Sequence, residues 1–222
     1  MADDGEQLPR LPTVHPDVSE WDFPRWFGPS TPLRPAAVAR LFEGTGVTWW
    51  VVGGWSLEAD PARPRRHHDD IDVAVRRDQA DAVREALTGF HLWQTYPGLR
   101  PVYPGEPLPE GLDQMWVRRD AFSPWLMDLL LSPVDGPDWV YKKDHRVRLP
   151  LTEVVRTGPD GLPYQAPQVG LLFKAKHARV KDVGDLDDCW PRLDEPDRRW
   201  FLETLALTDP GHPWLDRVSV RG

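Results

Sequence analysis

The positions of the prolines limit where this 222-residue chain can form regular structure. Of its 25 prolines, seven lie within residues 1–35 and five within residues 97–111. Proline lacks the backbone N–H that helix interiors and central strands need, so neither structure persists through such segments. The sequence predicts an extended arm at 1–35 and a long surface loop at 97–111. Aromatic side chains gain free energy by leaving water, so the second half of the arm is expected to pack on the fold through Trp21, Phe23, Trp26 and Phe27.

Apolar periodicity places helices and strands between the proline-rich segments. A helical pattern begins at Pro35 and ends at Gly44, and β-branched or aromatic runs at 48–52 and 71–75 predict two strands. Further along, the pattern predicts a helix at 78–87 and strands at 90–96, 115–118, 125–131, 139–141 and 146–149. After Tyr164 the apolar residues follow helical spacing in three successive stripes, which predicts helices.

These elements predict an α/β (α+β) fold in which helices flank a mixed sheet and the C-terminal part is helical. The expected organisation is a proline-rich N-terminal arm at 1–35, an α/β domain at 36–150 and a helical subdomain at 151–222. The sequence contains no internal repeat and no sustained heptad, which excludes a solenoid and a coiled coil.

Composition and charge narrow the range of partners. With 35 acidic and 27 basic residues the formal charge is -8, so we expect no nucleic-acid partner. No apolar run approaches the ~20 residues of a membrane span, so we expect no membrane association. The single cysteine, Cys189, excludes an intrachain disulfide. Because the first residues lack the basic and apolar regions of a secretion signal, we expect a cytoplasmic protein.

The stretch at 49–75 joins a strand, a glycine turn, a basic segment and a second strand that carries acids. Gly53 and Gly54 follow the first strand, where glycine lets the backbone approach a ligand and backbone N–H groups can meet a phosphate. A tight turn without a ligand also explains two glycines. Arg65 and Arg66 come just before the acids, and a guanidinium can bind phosphate through two hydrogen bonds.

Asp70 and Asp72 are two residues apart in the second predicted strand. Their side chains are therefore expected on one face of the sheet, roughly 6–7 Å apart along the backbone. Like charges at that separation repel, and a divalent cation such as Mg²⁺ would hold both carboxylates ionised. The alternative is a solvent-exposed strand end.

Asp128 is the one carboxylate in the otherwise apolar strand at 125–131. A buried carboxylate must be neutralised, hydrogen-bonded or bound to a metal, and carboxylates with perturbed pKa values are candidates for functional sites. The alternative is a buried salt bridge to Arg118 or Arg119. If Asp128 instead meets Asp70 and Asp72, the three carboxylates would form a two-metal site.

Taken together, Gly53-Gly54, the basic segment at 63–68 and Asp69-Asp70-Ile71-Asp72 resemble the signature of nucleotidyltransferases of the DNA polymerase beta superfamily. The aminoglycoside and lincosamide nucleotidyltransferases are the most similar branch, since they pair Gly-Gly-Trp with His-x-Asp-Ile-Asp at this kind of spacing. The resemblance extends more loosely through Asp128 to the stretch at 166–182, and it covers about residues 36–190.

The resemblance implies a nucleotidyltransferase-like fold and an enzyme that uses two Mg²⁺ ions. The enzyme would transfer a nucleoside monophosphate, AMP from ATP, to a hydroxyl of a small-molecule acceptor, antibiotics included. Asp70, Asp72 and Asp128 would bind the metal and carry catalysis, with Asp128 also serving as the base. The nucleoside triphosphate would be held by Gly53, Gly54, Ser56, Arg65, Arg66, Lys174 and Lys181. Lys174 and Lys181 would share one helical face, for which a solvated surface is the alternative explanation.

Two other functions stay open. A nucleotidyltransferase-like scaffold could bind nucleotide or a partner protein without turnover, as regulatory or toxin–antitoxin relatives do. His68-Asp69 is also the dipeptide of HD-type metal phosphohydrolases, although that family places it on a helix and here it leads into a predicted strand. Family members carry an Asp and a Gly-Arg pair in the intervening helix where this chain has Glu58 and Ala62-Arg63, which leaves the acceptor class open.

Overall fold

The computed structural model describes residues 27–96 and 98–219. Residues 1–26, Pro97 and 220–222 lie outside the described residues, so the predicted packing of Trp21, Phe23 and Trp26 stays a prediction. The helices of the described part are α1 (Pro35–Phe42), α2 (Ala80–Ala86), α3 (Leu151–Val154), α4 (Pro167–Ala175), α5 (Val180–Cys189), α6 (Glu195–Thr208) and α7 (Pro213–Ser219). The strands are β1 (Trp49–Val52), β2 (Asp72–Arg76), β3 (His91–Gln94), β4 (Arg100–Val102), β5 (Gln114–Arg118), β6 (Trp125–Ser132), β7 (Val134–Asp135), β8 (Asp138–Val140), β9 (Arg148–Pro150), β10 (Val155–Thr157) and β11 (Pro163–Gln165).

Eight of these strands form one mixed sheet, in the order β10-β11-β1-β2-β6-β5-β3-β4. β2 pairs in parallel with β6, β1 pairs in parallel with β11, and the other neighbours are antiparallel. The strands β7, β8 and β9 form a separate antiparallel sheet that contains the predicted hairpin. The mixed sheet, its flanking helices and the helical C-terminal part confirm the predicted fold class.

Four short strands, β4, β7, β10 and β11, lie where the sequence predicted none. β4 falls inside the predicted loop at 97–111, and it contains Pro101 because it is the edge strand, where a missing N–H is tolerated. β10 and β11 follow residue 150 and still join the main sheet, so that sheet extends past the predicted α/β domain. The helical part of the chain begins at Pro167, and the domain limits stay a prediction.

The described end of the arm packs on the fold, as its aromatic residues predicted. Residues 29–33 run beside the start of β6, where the backbone N–H of Thr31 donates to the carbonyl of Trp125 at 2.8 Å. Phe27 is buried, and its ring meets the edge of Trp116 at a centroid distance of 5.7 Å.

Hydrophobic cores lie on the two faces of the main sheet because side chains alternate along each strand. Met127 and Leu129 of β6 belong to the core that α1 and α2 cover. Leu130 points to the other face, where α4 and the following helices pack. Asp128 shares that second face, so the C-terminal helices form one wall of any site built around it. In the part of the chain that the structure describes, no helix is both long and apolar enough to cross a membrane.

Candidate active site

A cleft of about 720 Å³ opens between the second face of the main sheet and the helices α4 and α5. Its lining comprises the glycine turn after β1, the acids at the start of β2, the end of β6, part of β8, and basic residues of α4 and α5. Strong positive and negative charges therefore lie in the same cleft, as binding of a metal and a phosphate would require.

Asp72 and Asp128 lie side by side; Asp72 lines the cleft, whereas Asp128 does not appear among the described lining residues. Asp72 begins β2 and is in register with Asp128 of the parallel strand β6, and both side chains are half-buried. Burial, with a contribution from nearby Asp70, raises the pKa of Asp72 to about 7. Burial and the neighbouring Asp72 raise the pKa of Asp128 well above its ordinary value. Both carboxyl groups are therefore harder to ionise than an ordinary aspartate, and a bound cation would offset the repulsion between them.

The Asp128 carboxylate has hydrogen-bond partners in Gln114 and Trp116. Gln114 Nε2 donates a hydrogen bond to Oδ2 of Asp128, while Oδ1 is buried and has no hydrogen-bond partner. The guanidinium of Arg118 lies between two tryptophan rings, 4.4 Å from each centroid. Among the described residues neither Arg118 nor Arg119 forms an ion pair with Asp128, so the salt bridge considered as the alternative is not present.

Asp70 lies in the loop before β2 and not within the strand as predicted, because the strand begins at Asp72. Between the two acids, Ile71 is fully buried, and its carbonyl accepts a hydrogen bond from the backbone N–H of Asp128 at 2.9 Å. Asp70 is exposed and lines the cleft together with Asp72. The buried Ile71 thus lies between Asp70 and Asp72, which both line the cleft.

The carboxylates are a suitable donor set for a hard divalent cation. Over residues 27–96 and 98–219, no three His, Cys, Asp or Glu side chains lie close enough together to form a complete metal site. The predicted meeting of all three carboxylates is therefore not found among the described residues: Asp72 and Asp128 are adjacent, and the exposed Asp70 lies near enough for its charge to raise the pKa of both. Hard cations such as Mg²⁺ prefer oxygen ligands, and the buried Oδ1 of Asp128 lacks any partner. The residues present fit the cation that the resemblance implies.

The glycine turn requires glycine at both of its positions. Gly53 has φ +66, and a Cβ there would overlap the carboxylate of Asp72. A Cβ on Gly54 would lie against Arg66 and within 2.8 Å of His68 Nδ1. Both glycines line the cleft. The turn therefore brings backbone directly against the acids and the basic segment, which a turn serving only to reverse the chain would not need.

Ser56 has a different position from the one its predicted role requires. Its side chain is buried, and its hydroxyl donates to the carbonyl of Gly53 at 2.9 Å. Among the described residues that line the cleft Ser56 does not appear, so its hydroxyl stabilises the glycine turn and has no direct path to a ligand.

Lys174 and Lys181 do not share a helical face, so that prediction is wrong. Lys174 lies near the end of α4 and Lys181 lies in α5, and the chain turns between them at Ala178, which has φ +43. Lys174 Nζ lies 3.2 Å from Asp182 and 2.8 Å from Asp185, and all three side chains are buried. Both lysines line the cleft, with Lys174 bound to these acids.

The two arginines before the acids also meet Asp185. Arg65 Nη2 lies 2.5 Å and Arg66 Nε 3.4 Å from Asp185 Oδ1. Arg66 lines the cleft, whereas Arg65 does not appear among the described lining residues. Asp185 therefore anchors the basic segment to α5, a role that sequence reasoning missed. The available signal was a pair of acids, Asp182 and Asp185, three residues apart on one helix.

His68 is committed to the fold and not to a metal. Its Nε2 lies 2.8 Å from Glu58 Oε1, its ring stacks on Trp55 at 4.5 Å, and burial lowers its pKa. Glu58 also accepts a hydrogen bond from the backbone N–H of Arg65 at 2.8 Å. Glu58, which differs from the family pattern, thus holds His68 and the backbone of Arg65 in place. Because His68 is engaged by Glu58 and Trp55, the His68-Asp69 dipeptide does not support a metal phosphohydrolase.

Comparison with known proteins relates this site to one family. Residues 36–102 match the family model described as aminoglycoside-2''-adenylyltransferase. No curated protein sequence matches the chain. The motif resemblance predicted from the sequence is confirmed over the stretch that contains the glycine turn and the first two acids.

One solved structure shows a similar fold at low sequence identity, and two more match with lower scores. The solution structure of the antibiotic-resistance factor ANT(2'')-Ia is 13% identical, with a TM-score of 0.51, and the alignment covers 85% of this chain and 95% of that one. Lincomycin-bound lincosamide antibiotic adenylyltransferase LnuA is 17% identical, with a TM-score of 0.47 and coverages of 72% and 97%. ANT(2'')-Ia in complex with adenylyl-2''-tobramycin is 13% identical, with a TM-score of 0.48 and coverages of 76% and 91%.

Proposed function

Taking the chain as a nucleotidyltransferase of the aminoglycoside/lincosamide-like type, we propose that it transfers AMP from ATP to a hydroxyl of a small-molecule acceptor. The observation that carries this proposal is the pair of adjacent carboxylates, Asp72 and Asp128, of which Asp72 lines the cleft beside the glycine turn. The family described for residues 36–102 consists of adenylyltransferases that act on an antibiotic, which supports an antibiotic as one candidate acceptor.

The carboxylates would hold the divalent cations, with Asp70 and Asp72 as ligands and Asp128 as the third. Bound Mg²⁺ supplies neutralisation of the triphosphate charge and alignment of the reacting groups. The residues of the chain would hold the nucleotide from the other side. Gly53 and Gly54 offer backbone N–H groups at the start of a short helical turn, and Arg66 and Lys181 line the same cleft.

The proposed reaction is an in-line displacement at the α-phosphorus of ATP. The acceptor oxygen forms a bond to this phosphorus while the bond from phosphorus to the oxygen bridging the β-phosphate breaks, and pyrophosphate leaves. The hydroxyl proton passes to the carboxylate of Asp128. Because burial and Asp72 raise the pKa of Asp128, its ionised form is a stronger base than an ordinary aspartate.

A transfer assay tests this function. The protein is incubated with Mg²⁺, ATP labelled at the α-phosphate and a panel of hydroxyl compounds that includes lincomycin and tobramycin. We expect one acceptor to gain the mass of one AMP, with release of an equal amount of pyrophosphate. Asp128→Asn should reduce the rate by at least about 100-fold, while the exposed β7 variant Asp135→Asn should leave it unchanged.

The same assay separates the two remaining functions. A scaffold without turnover would bind ATP and release no pyrophosphate with any acceptor. A phosphohydrolase would release phosphate without labelling an acceptor. Either result would contradict the proposed transfer.

A further inference from the structure

Asp185 of α5 is a buried carboxylate that contacts basic side chains from two separate parts of the chain. Its side chain is 2% exposed. Arg65 and Arg66 reach it from the segment between β1 and β2, and Lys174 Nζ of α4 lies 2.8 Å from its Oδ2. Arg66 and Lys174 line the cleft, whereas Asp185 does not appear among the described lining residues. The carboxylate can therefore act on a ligand in the cleft only through the side chains that it contacts.

The guanidinium of Arg66 is held from three sides. Its Nε lies 3.4 Å from Oδ1 of Asp185, and its Nη2 lies 3.5 Å from Oδ2. Nη1 donates a hydrogen bond to the carbonyl of His67 at 3.0 Å. Nη2 also lies directly against Gly54, where a Cβ would overlap it. The guanidinium is therefore placed between the Asp185 carboxylate and the glycine turn.

Arg66 depends on Asp185 more than the other two cations do. In the part of the chain that the structure describes, Asp185 is the only acid that forms an ion pair with Arg66. Each of the other cations has a second acidic partner, namely Asp188 for Arg65 at 3.5 Å and Asp182 for Lys174 at 3.2 Å. Loss of the Asp185 carboxylate would therefore leave those two cations paired and release Arg66.

The negative charge of Asp185 is compensated where it lies. Burial alone would raise the pKa of Asp185, but its contacts with Lys174 and Arg66 hold that pKa below its ordinary value, so the carboxylate stays ionised at neutral pH. An isolated carboxylate would repel an anion in the cleft. Because three cations contact this one, that repulsion is largely offset. The main effect of Asp185 on an anion is then the position that it gives to Arg66.

We propose that Asp185 is a positioning residue, which holds the Arg66 guanidinium over the glycine turn so that it can bind the phosphates of the nucleoside triphosphate. A guanidinium binds two phosphate oxygens at once only when its plane is correctly oriented. A group that is oriented before binding also loses less conformational freedom when the ligand arrives. The proposal rests on the proposed function, which places the triphosphate beside Gly54 and Arg66.

The test measures binding of inorganic triphosphate to the full-length protein by calorimetry in the presence of Mg²⁺. This probe consists of phosphate groups alone, so neither a nucleoside base nor an acceptor contributes to the signal. We expect Asp185→Asn to weaken binding about tenfold, because a neutral amide attracts the Arg66 guanidinium less strongly than a carboxylate does. Unchanged binding by the folded variant would overturn the proposal. Tighter binding would overturn it as well, since that is the result of removing a negative charge without moving Arg66.

A double-mutant cycle separates positioning from a loss of structure. Arg66→Gln should weaken triphosphate binding about tenfold, and adding Asp185→Asn should then change it by less than about twofold. A carboxylate needed only for the fold would weaken binding in both backgrounds. This second result would contradict the proposal.

Arg66→Lys tests the same geometry with Asp185 left in place. The lysine keeps the positive charge but lacks the planar group that can contact the carboxylate and a phosphate together, so triphosphate binding should weaken about fivefold. Unchanged binding by Arg66→Lys would show that charge alone is sufficient, and it would overturn the proposal even if Asp185→Asn does not fold.

Asp197→Asn is the matched control. Asp197 is also buried and pairs with an arginine, Arg156, at 2.6 Å, and neither residue appears among the described residues that line the cleft. This variant should lose stability and keep its triphosphate binding, and circular dichroism verifies that each variant is folded. Transfer of AMP by wild type together with unchanged triphosphate binding by Asp185→Asn would contradict the positioning role alone. Wild-type protein that binds no triphosphate would contradict the proposed function as well.

Discussion

Asp72 of β2 and Asp128 of β6 occupy directly opposed positions in a parallel strand pair, and both carboxylates face the side of the sheet that the C-terminal helices cover. This relationship joins two separate parts of the sequence into one site. Gly53 packs against the same Asp72 carboxylate, so the glycine turn and the acid pair are in contact. Each part of the proposed chemistry therefore depends on the geometry of this one strand pair.

Replacing Asp128 by Asn should separate catalysis from folding. The amide keeps the volume and removes the charge, so we expect transfer to fall by at least about 100-fold while ATP binding falls less. Because the wild-type carboxylate is buried beside another one, the metal-free variant should melt no lower than wild type. Circular dichroism melts and transfer rates check both parts. A large fall in the melting temperature would contradict the catalytic role.

Replacing Gly53 by Ala should weaken nucleotide binding, because the new side chain would displace the Asp72 carboxylate. The new methyl group would overlap the Asp72 carboxylate and would also sit on a backbone with φ +66. Gly46 is the matched control, because it has φ +72 and open space around it. Both variants should lose about 1–2 kcal/mol of unfolding free energy from the backbone alone. Only Gly53→Ala should weaken Mg²⁺-linked ATP binding, by at least about tenfold in calorimetry, and equal effects would contradict this account.

The stability difference between Asp72→Asn and wild type should depend on pH. Burial raises the pKa of Asp72 to about 7 in the folded protein, against about 3.9 in an unfolded chain. Between these values the folded state binds the extra proton, so this group reduces wild-type stability as the pH rises from about 4 to about 7. Without metal, the melting temperature of Asp72→Asn should therefore rise relative to wild type across that range. A constant difference would show that the raised pKa is wrong.

Lys174→Met should destabilise the fold, because Lys174 lies against the buried carboxylates of Asp182 and Asp185. Removing one partner of a buried ion pair leaves charge uncompensated, at a cost of about 3 kcal/mol. Lys142→Met is the control, since its pair with Asp113 is solvated and should contribute at most about 1 kcal/mol. Urea denaturation measures both. Equal losses would indicate that Lys174 is not structurally required.

Local patterns predicted the parts of the fold that local chemistry determines. The strand, glycine turn and second strand follow from β-branched runs and paired glycines, and the structure contains them. β2 begins at Asp72, later than the sequence predicted, so Asp70 lies in the loop before the strand. The three-residue strands β10 and β11 were missed because so short a segment shows no alternation, and their pairing comes from the rest of the sheet.

Long-range contacts explain where the site predictions failed. Arg65 and Asp185 are separated by 120 residues, so no spacing rule links them, and the interpretation of Arg65 as a phosphate ligand overlooked that pair. The break between α4 and α5 lies at Ala178, a residue that carries no glycine or proline signal for a turn. Without that signal the two lysines were expected on one helix.

The most direct test of the central claim is calorimetry of ATP binding with and without Mg²⁺, in wild type, Asp70→Asn and Asp72→Asn. The surface variant Asp135→Asn serves as the control, and circular dichroism verifies that each variant is folded. We expect Mg²⁺ to strengthen ATP binding by at least about tenfold in wild type and the control, and this coupling to disappear in both site variants. Full Mg²⁺ coupling in folded Asp70→Asn and Asp72→Asn would contradict the assignment of these carboxylates to the nucleotide site.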